Sequence, residues 1–255
     1  MIIIKYIGRF GNNLFQYAFA RILAESMGHG LDTYAGENAE YLPNCQAEIS
    51  DRNFWNGPWI ELHGNKVDIT NIPSGNIITE GFFQRSEYYI PHRKEIKKWF
   101  EVSEIDFVPD DNDILLHIRR SDFGYKNNAG MLPLDFYGDI LKNISFNKVY
   151  ITGGVSHAGN LSDIDNNVIE YFKNYNPIYM KGNSIKTFRA IQKFKNVVQS
   201  MSTYCWWACF LSDKVEKVYT PITNTGYWSG SHGDIDLTIN DSKYIYIKNI
   251  NVIHS

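Results

Sequence analysis

The chain has 255 residues, a net charge of -3 and three cysteines, and 44% of its residues are hydrophobic. A nearly neutral charge excludes a broad basic surface for nucleic acid or acidic membranes. An odd number of cysteines without paired spacing argues against a disulfide framework and for a reducing compartment, and no Cys/His pattern has the spacing of a zinc site. The apolar run at the N-terminus is too short to span a membrane, so we expect no transmembrane segment.

The first predicted element is a buried strand over the apolar residues 2–7. A glycine loop over residues 8–13 follows, and apolar residues at helical spacing predict a helix over residues 14–27 that ends at Gly28. Such a loop and the helix N-terminus after it suit an anion. The glycine spacing matches neither the dinucleotide fingerprint nor a Walker loop, so an ordinary tight turn is the alternative.

The segment that follows is less regular. Prolines and scattered Asn and Gly residues predict only short elements over residues 31–74. Residues 75–83 predict a strand that ends at Gly81, because apolar side chains lead directly into that glycine. A polar and aromatic loop over residues 84–89 is expected to follow.

Pro91 is predicted to open a helix, because proline suits the first helical turn. The acidic segment 102–113 then breaks the pattern, and it is the candidate linker between two halves. We therefore predict two domains, residues 1–107 and residues 108–255.

The second half is organised around HIRRSD, residues 117–122. The apolar run 114–116 before it predicts a buried strand. Ligands of open α/β sheets bind beyond the carboxyl ends of strands, and the arginine fork grips phosphate or carboxylate. Because side chains alternate along a strand, we expect Arg119 to meet a ligand and Arg120 to pair internally with Asp122. An ordinary surface salt-bridge cluster is the alternative.

The remaining sequence alternates helices with strands, which predicts parallel sheets with crossover helices and hence an α/β fold. Ser202 or Thr203 is predicted to cap a helix that ends at Leu211, and Pro221 to stop the strand that follows it. The other predicted elements are helices at 134–144 and 184–195 and strands at 148–152, 197–198 and 217–220.

Four stretches together resemble one family, the α-1,2-fucosyltransferases, and more broadly the fucosyltransferases that share the HxRRxD motif. GRFGNNLFQYAFAR at residues 8–21 is similar to the family's opening GxxGNxxFQYAxxR, and HIRRSD matches HxRRxD. SMSTYCWWACFLS at residues 200–212 resembles S-x-S-x-x-x-W-W-A-x-x-L, and EGFFQRSEYY at residues 80–89 resembles G-Y/F-F-Q-x-x-x-Y. The matches occur in order and span residues 8–212.

The resemblance implies a GT-B architecture, in which two Rossmann-like domains face each other across a cleft. It implies an inverting enzyme that moves L-fucose from GDP-β-L-fucose to a sugar hydroxyl, the 2-OH of a galactose, in glycan synthesis. Residues 1–107 would form the acceptor-side domain and residues 108–255 the nucleotide-sugar domain. The implied partners are the donor and a glycan acceptor, with no cofactor and no metal. The implied location is the cytoplasm, as in bacterial or viral relatives, either free or peripheral to a membrane.

The resemblance also implies roles for single residues. Arg119 would stabilise the departing β-phosphate and Asn12 would reach the reacting centre, which makes these two the catalytic candidates. His117 would contact the nucleotide, with a buried structural histidine as the alternative. The remaining predicted donor-binding residues are Gly11, Arg120, Asp122, Ser202 and Thr203. The predicted acceptor contacts are Asn13, Gln84 and Tyr88.

An inverting transfer ordinarily needs a general base within hydrogen-bond reach of the acceptor hydroxyl. Four carboxylates are candidates and the spacing favours none of them: Glu80, Glu87, Asp122 and Asp135. A dissociative reaction, in which the leaving phosphate takes the proton, is the alternative. Trp206 and Trp207 are expected in the core, because consecutive helical residues cannot both face one ligand.

The sequence departs from the family pattern in three places. Gly153 and Gly154 follow a predicted strand where the family has an acid that helps to hold guanosine. Cys205 stands where serine is usual, and the chain is shorter over residues 31–74. Two other function classes therefore stay open. One is a glycosyltransferase of the same architecture with another nucleotide sugar, and the other is a sugar- or nucleotide-binding module without turnover.

Overall fold

The computed structural model describes residues 1–33, 58–119, 131–153, 166–180, 182–224 and 233–252. The chain divides into two compact units. The first unit consists of Met1–Val102 and Ser229–Thr238, and the second consists of Ser103–Trp228 and Ile239–Ser255. The predicted assignment of an acceptor-side domain and a nucleotide-sugar domain stays a prediction.

The first unit is built on a four-stranded sheet in which every strand is parallel to its neighbours. Its strands are β1 (Ile2–Ile4), β2 (Leu31–Thr33), β3 (Trp59–Gly64) and β4 (Asn76–Gly81). Their order is β2-β1-β4-β3, so β1 lies beside β4 at the centre. The predicted strands over residues 2–7 and 75–83 are confirmed, although β1 is only three residues long.

Helix α1 (Phe10–Met27) connects β1 to β2, and twelve of its eighteen residues are buried, so it belongs to the core. It ends at Gly28, which adopts a left-handed conformation and donates its N–H to the Ala24 carbonyl, as predicted. The predicted start of this helix at residue 14 is wrong. The Arg9 carbonyl accepts from the N–H groups of Asn12 and Asn13 at 2.8 and 2.9 Å, because burial of Phe10 outweighs the poor helix propensity of glycine and asparagine.

The polar stretch after β4 forms two short 3-10 helices, Ser86–Tyr88 and Ile90–His92, and Pro91 lies in the second of them. Helix α2 (Arg93–Trp99) follows, which confirms the helix predicted after Pro91. The segment that returns to the first unit packs on this region. There the Ser86 N–H donates to the Asp236 carbonyl at 2.8 Å.

The second unit is built on a six-stranded sheet, again parallel throughout. Its strands are β5 (Ile114–His117), β6 (Val149–Thr152), β7 (Ile178–Tyr179), β8 (Asn196–Val198), β9 (Lys217–Thr223) and β10 (Tyr244–Ile250). Their order, β7-β6-β5-β8-β9-β10, is that of a doubly wound dinucleotide-binding fold. The strand order reverses between β5 and β8, which are the central pair.

Four described helices connect these strands: α3 (Leu134–Lys142), α4 (Asn166–Phe172), α5 (Ser184–Ile191) and α6 (Thr203–Leu211). Helices α3 and α5 confirm predicted elements, but α5 ends at Ile191 rather than at Lys195. Beyond it the chain continues in tighter turns, in which the Phe194 N–H donates to the Ile191 carbonyl. These turns bury the Phe194 ring against Tyr150. The sequence patterns did not predict α4, β7 or β10.

Pro221 does not stop a strand, and that prediction is wrong. Strand β9 runs from Lys217 to Thr223, and Pro221 pairs with Ile247 of β10. Strand β8 pairs with β9 only as far as Tyr219. Proline is tolerated here because it lies beyond the end of β8, where its missing N–H removes no bond to that strand.

Candidate functional site

The reversal of strand order between β5 and β8 creates a position for a ligand at the carboxyl edge of the second sheet. Helices that leave two neighbouring strands in opposite directions open a crevice there. His117 ends β5, and Ser200 follows β8. Four of the predicted donor-binding residues are described in this unit: His117, Arg119, Ser202 and Thr203. All four lie at the end of β5 or in the segments that directly follow β5 and β8.

His117 is buried at this edge, and its Nδ1 atom lies 2.7 Å from the Ser200 hydroxyl. Burial lowers the pKa of His117 to about 3, and the nearby Arg119 guanidinium adds to the effect. The imidazole is therefore neutral at physiological pH. The Tyr137 hydroxyl donates to the His117 carbonyl at 3.2 Å and so fixes the end of the strand.

Arg119 lies two residues beyond the end of β5 and is partly exposed. Its Nη1 atom donates to the Met201 carbonyl at 3.5 Å, which brings the guanidinium to the segment after β8. The Ile118 N–H donates to the Thr152 carbonyl at 2.8 Å and extends the pairing with β6. The described part of the HxRRxD stretch, residues 117–119, is thus held by contacts with β6 on one side and with the segment after β8 on the other. Arg120 and Asp122 lie outside the described residues.

Ser202 and Thr203 lie at the start of α6, next to the residues that contact His117 and Arg119. Ser202 is the N-cap residue, and its hydroxyl accepts from the Cys205 N–H at 3.5 Å. Of the two predicted caps, Ser202 is the one that acts, and Thr203 is the first helical residue. A helix N-terminus carries partial positive charge and suits an anion.

The two tryptophans of this helix are buried in the core, as predicted. Trp206 is 1% exposed and Trp207 is completely buried. Trp206 stacks on Phe210 with ring centroids 4.8 Å apart. These rings therefore anchor α6 to the core of the second unit, and its first turn is held in place at the sheet edge.

Gly153, which departs from the family pattern, is required by backbone packing. Its φ is +90°, and a Cβ added to it would lie 2.4 Å from the Ile118 carbonyl oxygen. Any side chain here would clash with the backbone between His117 and Arg119. Gly154 lies outside the described residues.

Two polar residues at this edge were not found from the sequence. Leu116, Val198 and Tyr219 pair side by side in β5, β8 and β9. One residue further along each chain segment, the same register places His117, Gln199 and Thr220 in a row. Both amide atoms of Gln199 and the hydroxyl of Thr220 are buried without a hydrogen-bond partner among the described residues. The only signal in the sequence is that a glutamine directly follows the apolar strand 197–198.

The first unit carries its predicted residues at the corresponding edge, where β1 and β4 end. Gly8 turns the chain with φ +81°. Gly11, Asn12 and Asn13 then belong to the first turn of α1, so the predicted glycine loop over 8–13 is wrong beyond Arg9. The Asn13 amide donates to the Ile7 carbonyl at 3.3 Å and to Gln16 Oε1 at 3.0 Å.

Gln84 and Asn12 are brought together although 72 residues separate them. The Gln84 amide donates from Nε2 to Asn12 Oδ1 at 3.0 Å. Tyr88, by contrast, uses its hydroxyl on the backbone of Val67, from which it accepts at 2.7 Å and to which it donates at 3.0 Å. The predicted acceptor contacts of Asn13, Gln84 and Tyr88 stay predictions.

The described carboxylates that are candidate bases already have partners. Glu80 accepts from Lys5 at 2.8 Å, and this contact lowers the pKa of Glu80. Glu87 pairs with Arg85 at 2.6 Å. The Asp135 carboxylate accepts from the Tyr171 hydroxyl, also at 2.6 Å. Asp122 lies outside the described residues.

The described part of the chain contains neither a metal-ligand cluster nor a membrane-spanning helix. No cluster of three or more His, Cys, Asp or Glu side chains there is arranged to hold a metal ion. No helix within the same ranges combines the length and the apolar character that crossing a membrane requires. The absence of a metal and of a cofactor stays an expectation.

Comparison with known proteins supplies the architecture. No protein-family model matches the chain, and no curated protein sequence matches it. The chain is similar to the structure of a mutant of Arabidopsis thaliana FUT1, a fucosyltransferase, in complex with GDP. The TM-score is 0.53 at 11% sequence identity, over 86% of this chain and 69% of that chain. The chain has the GT-B fold.

The predicted fold class, two Rossmann-like domains of the GT-B type, is thus confirmed. Two other GT-B glycosyltransferases are similar at lower TM-scores. Escherichia coli heptosyltransferase WaaC with ADP has a TM-score of 0.47 at 11% identity, over 97% of this chain and 92% of that chain. NodZ α-1,6-fucosyltransferase soaked with GDP-fucose has a TM-score of 0.42 at 12% identity, over 85% of this chain and 93% of that chain.

Proposed function

We propose that this protein is an inverting glycosyltransferase that moves L-fucose from GDP-β-L-fucose to the 2-OH of a galactose in glycan synthesis. The observation that carries the proposal is the arrangement of Arg119, His117 and the start of α6 at the edge where strand order reverses. The four ordered motifs support fucose as the sugar. FUT1, whose structure has the same fold, contains GDP, which supports a guanine nucleotide.

The chemistry follows from where charge develops. Breaking the fucosyl–phosphate bond leaves positive charge on the sugar ring and negative charge on the β-phosphate. A fixed guanidinium stabilises that negative charge more in the transition state than in the ground state, so Arg119 raises the rate as well as the affinity. The N-terminus of α6 adds partial positive charge. In this proposal Arg119 and the N-terminus of α6 stabilise the leaving phosphate, and no metal or cofactor takes part.

The neutral state of His117 fits a nucleotide contact. A buried cation at this position would repel Arg119, and its desolvation would be costly. Because its pKa is about 3, His117 offers hydrogen bonding without charge across the physiological pH range. The contact with Ser200 orients the ring.

In this proposal the reaction is dissociative: the fucosyl–phosphate bond breaks first, the acceptor hydroxyl then bonds to the sugar cation from the opposite face, and its proton ends on the departed phosphate rather than on a protein carboxylate. Support comes from the described candidate bases, because Glu80, Glu87 and Asp135 are each engaged with a hydrogen-bond donor. Alanine variants of the four candidate carboxylates, Asp122 included, test the idea. One variant that loses turnover but keeps its affinity for the donor would show a protein base instead.

The first experiment measures the release of GDP from GDP-fucose, with and without galactose-terminated acceptors. We expect acceptor-stimulated release in the wild type and a loss of about a hundredfold or more in Arg119→Lys. Lysine keeps the charge but loses the two-pronged hydrogen bonding. Arg189→Lys is the matched control, because Arg189 lies in the same unit and pairs with Glu104 and Gln192.

The outcomes separate the candidate functions. Acceptor-stimulated release that Arg119→Lys abolishes and Arg189→Lys preserves supports the proposal. Tight GDP binding without any donor-dependent product supports a binding module. No GDP binding at all contradicts a GDP-fucose enzyme.

A second candidate is a glycosyltransferase with another nucleotide sugar. The observation that favours it is Gly153, since the backbone packing there leaves no room for the side chain that the family pattern has at this position. Competition of unlabelled nucleotide sugars against GDP-fucose distinguishes the two. Stronger competition by a sugar linked to another nucleotide than by unlabelled GDP-fucose would favour the second candidate.

A further inference from the structure

His117 and Ser200 are bonded to each other across the two central strands of the second sheet. Nδ1 of His117 lies 2.7 Å from the Ser200 hydroxyl, and the two residues are only 5% and 1% exposed. His117 ends β5, and Ser200 lies two residues after the end of β8. Because the strand order reverses between β5 and β8, this bond lies at the crevice where ligands of such sheets bind.

The main chain holds both partners independently of this bond. The Tyr137 hydroxyl donates to the His117 carbonyl at 3.2 Å. The Ser200 carbonyl accepts from the Ser202 N–H at 2.7 Å, in the turn that leads into α6. The hydroxyl and the ring therefore meet from two segments whose backbones are already fixed, and the side-chain bond between them has a defined geometry.

The imidazole of His117 is neutral, so only one of its two nitrogens carries a proton. Burial lowers the pKa of His117 to about 3, and the nearby Arg119 guanidinium adds to the effect. In a neutral ring one nitrogen is an N–H donor and the other is an acceptor. The hydrogen bond that one nitrogen makes decides which of the two tautomers forms.

The Ser200 hydroxyl distinguishes the two tautomers. Among the described residues its hydrogen-bond partner is His117 Nδ1 and no other atom. If Nδ1 carried the proton, Ser200 would accept it, and the hydroxyl proton would then be buried without an acceptor, which native proteins rarely contain. If Ser200 donates to Nδ1 instead, its proton is used and the ring proton lies on Nε2.

Nε2 is then the atom of His117 that can meet a ligand. It makes no hydrogen bond among the described residues, and it is not one of the fully buried polar atoms without a partner. Arg119 and the start of α6 lie beside the same two strands and favour an anionic ligand. A nucleotide presents mostly acceptor atoms on its phosphates, ribose and base, which an N–H attracts and a bare nitrogen repels.

We propose that Ser200 is a positioning residue whose hydroxyl donates to Nδ1 and so holds His117 in the tautomer whose Nε2–H donates to an acceptor atom of the bound nucleotide. This inference rests on the proposed function, which assigns a nucleotide to this edge, and it deepens that function. Ser200 acts through His117 and touches no ligand itself. Without the hydroxyl both tautomers form, and only one of them can donate to the nucleotide.

The first test reads the tautomer directly. Long-range 1H–15N correlation spectra of the 15N-labelled full chain distinguish protonated from bare ring nitrogens. The His117 signals are assigned by their loss in His117→Gln and by the absence of titration near neutral pH. We expect a proton on Nε2 and a bare Nδ1. A proton on Nδ1 in the wild type would overturn the proposal.

The second test adds GDP, with guanosine and inorganic pyrophosphate as separate arms. We expect GDP to shift the Nε2–H signal of His117. A shift with pyrophosphate alone assigns the acceptor atom to the phosphates, and a shift with guanosine alone assigns it to the nucleoside. Bound GDP that leaves the His117 signals unchanged would overturn the inference. If GDP shifts the signal but no fucose is transferred, the proposed function fails and the inference stands.

Ser200→Ala and Ser212→Ala form a matched pair of variants. Ser212 is buried at the other end of α6, and its hydroxyl donates to the Gln192 carbonyl at 2.7 Å. Each substitution removes a buried hydroxyl, so both should lower the melting temperature. Only Ser200→Ala should mix the two tautomers and weaken GDP binding, about fivefold to tenfold by titration calorimetry. A single Nε2–H tautomer in Ser200→Ala, or equal GDP affinity in the two variants, would overturn the proposal.

Discussion

The carboxyl edges of the two parallel sheets differ in chemistry. In each sheet the first strand of the unit belongs to the central pair, β1 beside β4 and β5 beside β8. The first edge is lined by neutral amides bonded to one another and to the backbone, among them Gln16, which donates to the Gly81 carbonyl at 3.0 Å. The second edge combines the Arg119 cation, a neutral imidazole and a helix N-terminus.

The difference teaches that topology decides where a site can lie, while side chains decide what it can bind. Among the described residues, the first edge carries the ion pair of Lys5 with Glu80 and also Arg9, which precedes α1. The second edge carries the Arg119 cation and leaves the Gln199 amide buried without a partner among the described residues. The proposed function assigns the anionic nucleotide to the second edge, because the motif residues His117 and Arg119 lie there.

The largest effect expected at neutral pH concerns one glycine at each edge. A Cβ on Gly81 would lie 2.3 Å from the Gly64 carbonyl oxygen, and one on Gly153 would lie 2.4 Å from that of Ile118. We expect Gly81→Ala and Gly153→Ala each to lower the free energy of unfolding by about 2–4 kcal/mol. Only Gly153→Ala should also weaken GDP binding, as measured by titration calorimetry alongside urea unfolding.

Gly28→Ala is the matched control for both glycines. Gly28 has φ +64°, and a Cβ there would meet nothing within 4 Å. We expect a loss of about 1–2 kcal/mol, the cost of the left-handed conformation alone. If Gly28→Ala were as damaging as the other two, the close backbone contacts would not be the cause. Loss of GDP affinity in Gly81→Ala would contradict the assignment of the nucleotide to the second edge.

The next effect concerns pH. The pKa of His117 is about 3 in the folded protein and about 6.5 in the unfolded chain, so the unfolded chain binds the proton first as pH falls. We expect the stability that depends on neutral His117 to be complete above pH 6.5. Below that pH it should decline by up to about 1.4 kcal/mol per pH unit until pH approaches 3. Urea unfolding of the wild type and of His117→Gln, compared at each pH, measures this slope.

Ser200→Ala provides the control for the histidine. It removes the partner of His117 Nδ1 but keeps the titrating ring. We expect Ser200→Ala to lower stability at every pH and to keep most of the slope that His117→Gln removes. An equal slope in the wild type and in His117→Gln would mean that other groups cause the acid sensitivity.

The smallest effect separates helix capping from ligand binding. Ser202 caps α6, and Asn183 caps α5 through a bond from the Lys186 N–H at 2.9 Å. Alanine at either position should cost about 1 kcal/mol of unfolding free energy. Only Ser202→Ala should also weaken GDP binding, by a few-fold. Equal GDP affinity in the two variants would argue that the start of α6 does not hold the nucleotide.

Local sequence determined much of the second edge. The apolar run before HIRRSD predicted β5, and the hydroxyl-rich stretch before the two tryptophans predicted a capped helix, as found in α6. These features depend on neighbouring residues, because strand burial, capping and helical packing are encoded within a few positions. The motif resemblance then led to the GT-B fold, although Arg120 and Asp122 lie outside the described residues.

Other features were decided by tertiary structure alone. The pair of Asn12 and Gln84 joins positions 72 residues apart, and no local pattern indicates it. Pro221 lies within β9 because β8 ends before it, which depends on how far a neighbouring strand extends. The start of α1 at Phe10 depends on the burial of that ring.

The sequence by itself determined most of the strands and helices of an α/β protein, although not α4, β7 or β10, and it determined where the charged motif lies. The tertiary structure decided the strand order, the glycine contact at Gly153, the neutral state of His117 and the burial of the Gln199 amide. The physical reason is the separation along the chain over which each effect acts. Backbone preference and hydrophobic period act between neighbours, whereas burial, desolvation and hydrogen bonds between strands depend on residues that only the folded chain brings together.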